Sequence, residues 1–190
     1  MRILGVDPGL TRCGISIVDV STTRTLSLVH LVVLQTPASQ PLAQRLQSIQ
    51  NSLRSIIREF SPERMAVERV FAQHNLRTVM GTAQVSGIVL AEAASAGISI
   101  ELHTPSEVKA SVTGSGRANK AQVANMVGKL VSLPEGKLLP DATDAVAIAI
   151  CNAWRGGSGH VASIESDASR GLTPAQQKWR EAERHSRTRG

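Results

Sequence analysis

The stretch Arg2-Ile3-Leu4-Gly5-Val6-Asp7-Pro8-Gly9 opens the chain with an apolar run that stops at an acid and a turn. Residues 2–7 predict a strand, because apolar and β-branched side chains run up to a Pro-Gly pair that cannot continue it. Cys13-Gly-Ile-Ser-Ile-Val-Asp-Val20 is rich in β-branched residues and predicts a second strand. Thr22 and Thr23 suggest a turn, and Leu26 to Leu34 predicts a third strand. Three strands this closely spaced predict an antiparallel meander, since parallel neighbours need a long crossover.

Beyond the meander the period changes. Pro41 starts a helix in which Leu42, Leu46, Ile49, Leu53, Ile56, Ile57 and Phe60 fall on one face, and Ser61-Pro62 ends it. Arg64 to Val70 predicts a short strand, Thr78 to Ala96 a helix stopped by Gly97, and Ile98 to His103 a fifth strand. Ser106 to Val112, Lys120 to Leu133 and Asp141 to Trp154 predict three more helices. The order predicts an α/β fold, a five-stranded mixed sheet flanked by helices. Residues 1–155 form the expected domain. From Gly156 the composition turns to Gly, Ser, Arg and Ala, so 156–190 is expected to be a basic, flexible C-terminal tail.

Composition narrows the function. No apolar run approaches the roughly 18 residues of a membrane span, and no signal peptide is readable, so a cytoplasmic protein is expected. Cys13 and Cys151 lack metal-ligand spacing and read as two unpaired thiols. The chain carries 21 basic and 15 acidic residues, net +6. Residues 155–190 hold seven Lys/Arg and four Asp/Glu, so half of that excess lies in the body of the chain. Such charge suits a polyanion. Aromatics make up 2% with no tyrosine, which argues against stacking platforms for single strands.

Four acids stand in apolar or small-residue surroundings: Asp7, Glu68, Asp141 and Asp144. Each has a plain structural reading or lacks one. Asp7 before Pro-Gly can simply open a turn. Asp141 and Asp144 can form a capping box at a helix start. Glu68, inside a strand between Val67 and Val70, is a poor place for an unpaired carboxylate. Taken together they support a second reading. Asp7 and Glu68 fall near the C-terminal ends of strands, where open α/β sheets place their sites. Asp141 and Asp144 share one helix face. Three or four carboxylates without nearby Cys or His suit Mg2+ or Mn2+ rather than Zn2+, and such clusters bind two ions that clamp a phosphodiester.

The chain resembles the RuvC family of Holliday-junction resolvases. The resemblance rests on Gly5-Val-Asp7-Pro-Gly9 with Gly14, Glu68-Arg-Val-Phe71, Met80-Gly-Thr-Ala-Gln84 and Thr104-Pro-Ser-Glu-Val-Lys109. Gly114-Ser-Gly116-Arg-Ala-Asn-Lys120 and Asp141-Ala-Thr-Asp144-Ala-Val-Ala-Ile-Ala complete it, in family order over residues 1–154. It implies a ribonuclease H-like fold, a homodimer, and symmetrical metal-dependent nicking of opposed strands of a four-way DNA junction in recombination and repair. It implies two Mg2+ ions per site, replaceable by Mn2+, held by Asp7, Glu68, Asp141 and Asp144, with RuvA and RuvB as branch-migration partners. Phe71 matches the aromatic that engages bases at the crossover, against its ordinary reading as a core residue. Lys109 and Lys120 match residues that contact the backbone or assist chemistry.

Other positions are weaker. Arg117, in the glycine-rich segment, is a candidate phosphate contact, although the segment also reads as a plain loop before a helix capped by Asn119. Arg12 and Arg69 are read as phosphate contacts or as solvated surface residues. Asn119, Ser86 and Thr143 depart from the common family pattern without removing a ligand. Three rivals follow from the residues: an actin-like ATPase, another ribonuclease H-like nuclease acting on structured nucleic acid, and a junction-binding module without chemistry. The first needs a second domain that 190 residues do not supply.

Overall fold

In the computed structural model, residues 1–69, 76–136 and 138–155 are described. The expected tail 156–190 and Phe71 lie outside the described residues. Strands β1 (Arg2–Asp7), β2 (Arg12–Val20) and β3 (Leu26–Gln35) form the antiparallel meander, followed by helix α1 (Leu42–Phe60). Strand β4 (Arg64–Glu68), helix α2 (Leu76–Ser95) and strand β5 (Ser99–His103) follow. Helices α3 (Pro105–Thr113), α4 (Lys120–Leu130) and α5 (Pro140–Arg155) complete the described body. The sheet order is β3-β2-β1-β4-β5, with β4 and β5 parallel to β1.

Strand alternation divides the core. Leu4 and Val6 of β1, Ile15 and Ile17 of β2, and Met65 and Val67 of β4 pack on one side with Ile49 and Leu53 of α1 and Val85 and Val89 of α2. Ile3, Val18 and Ala66 face the other side, where α5 lies on the sheet with α3 and α4 beside it. By the two-residue period, Asp7 and Glu68 share the faces of Ile3 and Ala66, so both point toward α5.

Two glycines let α5 approach that closely. A methyl group at Gly5 would land on the Ala145 carbonyl oxygen, 2.9 Å from Ala149 Cβ. At Gly14 it would land on the Asp141 carbonyl oxygen, 2.8 Å from the carbonyl carbon. Between them Ser16 Oγ donates to the Ala145 carbonyl at 3.0 Å. The start of α5 is thereby pressed onto the C-terminal end of β1.

Element ends follow local chemistry. Ser61 adopts φ 47 and donates its N–H to the Ile57 carbonyl at 2.9 Å, ending α1 before Pro62. Gly97, at φ +68, ends α2 as expected. Thr104 and Glu107 form a capping box on α3, and Asn119 and Gln122 form one on α4. Helix α4 stops at Leu130, short of the expected Leu133, because Val131 turns extended. The capping box expected at Asp141 is absent: α5 begins at Pro140, which suits a first helical position, and Asp141 lies inside the first turn. An acid there still favours the positive helix end.

Candidate active site

Strands β1 and β4 run parallel through the rung Val6↔Val67, and each ends one residue later in an acid, Asp7 and Glu68. Glu68 is therefore at a strand end rather than in a strand interior. Asp144, one turn into α5, joins them around a depression of about 250 Å³ that Lys109 of α3 and Lys120 of α4 also line. Five elements thus supply one acidic pocket with basic flanks. The closest polar contact is Lys120 Nζ to Asp144 Oδ2, 3.0 Å. Asp141 faces the adjoining depression, where Arg12 Nε lies 2.9 Å from its Oδ2.

The electrostatics reflect burial and crowding. Burial, then the charges of Glu68, Asp144 and Asp141, push the Asp7 carboxyl up to about 7 from its ordinary 3.8, with Lys120 opposing. Glu68 is raised as well, first by burial and then by Asp144, while Lys120 and Lys109 pull it back. The hydrogen bond to Asp144 raises the Lys120 ammonium. The neighbouring acids disfavour the charge on Asp7 and Glu68, and a cation relieves that directly.

As they stand, the acids do not enclose an ion: among the described residues, no three Asp, Glu, His or Cys side chains are gathered closely enough to do so. Two of the four acids are held in ion pairs. Lys120 engages Asp144, and Arg12 engages Asp141. The donor set nevertheless fits a hard divalent cation. All four side chains offer oxygen only, and neither Cys nor His lines the pocket. Asp141 Oδ2 is buried without a hydrogen bond, because Arg12 Nε approaches it off the line such a bond requires. That oxygen has an unused lone pair.

The remaining expected residues separate. Lys109 and Lys120 reach the acidic pocket. Arg12 reaches Asp141. Arg69 is exposed just past β4, where its backbone N–H donates to the His103 carbonyl at 2.8 Å. Arg117 is exposed between α3 and α4. Neither lines the acidic pocket. Arg45 was missed. It reads as a polar position of an amphipathic helix, yet it is only 9% exposed and opens onto the depression beside Asp141. Its place in the apolar register, one residue before Leu46, is the signal that was available.

Sheet order, strand directions and the helix laid across β1 define the class: the chain has a ribonuclease H-like fold, with acids at the ends of β1 and β4 and at the start of α5. Residues 3–152 match the family described as crossover junction endodeoxyribonuclease RuvC, and the chain belongs to that family. The crossover junction endodeoxyribonuclease RuvC of Leifsonia xyli subsp. xyli is 53% identical over 97% of this chain and 92% of its own length. That of Renibacterium salmoninarum is 51% identical over 98% and 94%. Among solved structures, Thermus thermophilus RuvC in complex with a Holliday junction substrate superposes with a TM-score of 0.77 at 31% identity, over 82% of this chain and 94% of that one. The yeast mitochondrial Holliday junction resolvase Ydc2 shares the fold at 14% identity and a TM-score of 0.57. Among the described residues no helix is long and apolar enough to cross a membrane.

Proposed function

We propose that this protein resolves four-way DNA junctions by nicking two opposed strands symmetrically, as a homodimer with one divalent-metal site in each subunit. Family membership supports the reaction and the substrate. The observation that carries the site is Asp7: a carboxyl pushed up to about 7 by burial and three neighbouring acids. Such a group is unfavourable in the protein alone and favourable beside a cation.

Asp7, Glu68, Asp141 and Asp144 would hold two Mg2+ ions, which Mn2+ would replace. Bound there, the ions supply a lowered pKa for the attacking water and charge neutralisation at the leaving oxygen. The protein's own groups do the rest. Asp7 sits deepest, on the strand, where backbone pairing to β2 through Asp7↔Gly14 fixes its position. Lys120, 77% exposed at the pocket rim, neutralises charge building on the scissile phosphate. Lys109, which also lines the pocket, orients the strand. Arg12, Arg69 and Arg117 hold flanking backbone, and Phe71 wedges at the crossover. The basic tail 156–190 adds sequence-independent attraction outside the 1–155 domain. Two sites in a dimer match the two-fold symmetry of the junction. Family membership also supports a cytoplasmic setting with the branch-migration proteins RuvA and RuvB.

The test uses a mobile four-way junction with Mg2+, and duplex and RNA-hybrid controls. Paired nicks confined to the junction are expected, with Asp7→Asn reducing the rate by several orders of magnitude. Wild-type nicking by that variant would overturn the site.

A further inference from the structure

Arg45 is buried in α1, and its hydrogen bonds go to neutral acceptors only. Nε donates to Thr36 Oγ1 at 2.8 Å, and Nη2 donates to Thr11 Oγ1 at 3.0 Å and to the Thr36 carbonyl at 3.4 Å. No carboxylate of the described residues stands within ion-pair distance of it. Nη1 makes no hydrogen bond to a described residue. A guanidinium this buried carries a desolvation cost that neutral acceptors only partly offset.

The guanidinium opens onto a depression of about 520 Å³ shared with Gly9, Thr11, Arg12, Thr82 and Asp141. Its charge balance is two arginines against one acid, and Arg12 already engages that acid. The wall is the tight Pro8–Arg12 turn that leads directly out of Asp7, so the depression adjoins the acidic pocket. Planar guanidinium donors suit the oxygens of a phosphate.

We propose that Arg45, with Arg12 and Thr82, forms a subsite that seats a phosphodiester of the cleaved strand next to the scissile one. The subsite rests on the nuclease reading of the acidic pocket, and it aligns the strand. Arg45 is a positioning residue: it touches the strand but not the reacting atoms.

The experiment measures binding of the full chain to a four-way junction in EDTA, across a range of salt. Arg45→Gln is expected to weaken binding at low salt roughly tenfold, as loss of a charge-assisted hydrogen bond does. It is also expected to lower the slope of log K against log salt by about 0.9, the value of one phosphate contact. Replacing single phosphates by methylphosphonate should reveal one position beside the nick where the wild type loses affinity and R45Q loses no more. A lowered melting temperature with unchanged slope and fully additive losses would mean that Arg45 only clamps Thr11 to Thr36, and the subsite would be wrong. If R45Q does not fold, the wild-type Arg45 Nε–Hε resonance is followed during titration with inorganic phosphate. A saturable shift supports the subsite, and an unmoved resonance overturns it. Failure of the wild type to nick junctions in Mg2+ would instead strike the nuclease reading, and the phosphate titration would still decide the subsite.

Discussion

Replacing Asp7 by Asn should stabilise the metal-free protein at the pH where it abolishes activity. Asp7 titrates at about 7 in the folded chain against an ordinary 3.8. Its folded value is raised, so between those two pH values the folded state binds more protons than the unfolded state. Stability therefore falls as pH rises through that window. Below about 3.8 the carboxyl is neutral in both states and Asp7 contributes no penalty; above about 7 the penalty is complete. The window is roughly three pH units wide, and each unit corresponds to about 1.4 kcal/mol, so the full penalty is about 4 kcal/mol. Asn fills the same space without the charge and escapes it. For a domain of this size, 1 kcal/mol moves the melting temperature by about 2–4 °C. Asp7→Asn should then melt roughly 10 °C above wild type at pH 8 in EDTA, with the difference vanishing toward pH 4. Mg2+ held about a hundredfold above its dissociation constant should narrow the gap to roughly 1 kcal/mol, since it adds about 2.7 kcal/mol to the wild type. Thermal and urea melts from pH 4 to 9, with and without Mg2+, read this directly. A stability difference that stays constant across that range would refute the placement of Asp7 in a buried acidic cluster.

Arg12→Gln releases Asp141, so Mg2+ should bind severalfold more tightly by calorimetry, while the salt slope of junction binding falls by about 0.9. Equal metal affinity in the two proteins would mean that Asp141 takes no part in the metal site. Lys120→Met should likewise raise metal affinity by freeing Asp144, yet slow nicking at saturating Mg2+ by 10-fold or more, because transition-state charge is left unneutralised. Gly14→Ala drives a methyl into the backbone of Asp141 and should cost about 1–3 kcal/mol in urea melts, with nicking lost beyond what instability explains. Gly87→Ala, where nothing lies within 4 Å, should instead gain up to about 1 kcal/mol, as Ala does in an exposed helix interior.

The fold was legible where one period dominated. The apolar runs of β1 and β2 and the seven-residue face of α1 each admit a single reading, and the antiparallel meander follows from the close spacing of the first three strands. Helix ends were less so. Asp141 looked like a cap because its chemistry suits one, but Pro140 with its fixed φ takes the helix start and moves Asp141 inside. The acids of the candidate site were conspicuous because carboxylates stand out against Ile, Val and Ala. Their pairings were not, since Arg12–Asp141 and Lys120–Asp144 join residues 129 and 24 positions apart through the tertiary fold alone. Arg45 was hidden for the opposite reason: an arginine on an amphipathic helix is ordinarily solvated, and only the packing of α1 against Thr11 and Thr36 buries it.

The two ion pairs also bear on how an acidic pocket binds a polyanion. Lys120 and Arg12 are 77% and 52% exposed, whereas Asp144 and Asp141 are 29% and 20% exposed. Pairs with one partner so solvated contribute about 0–1 kcal/mol. They occupy one oxygen of each carboxylate, but too weakly to resist a divalent ion. If the four carboxylates hold an ion as proposed, both cations would be released at the rim where phosphate must arrive. In the proposed site, metal loading would turn two internal counter-charges into two phosphate ligands, and the net charge facing the strand would rise by the charge of the ion. The consequence is positive coupling between metal and DNA: junction affinity should increase with Mg2+ occupancy at constant ionic strength. Removing Lys120 and Arg12 together should abolish that increase while metal binding itself tightens.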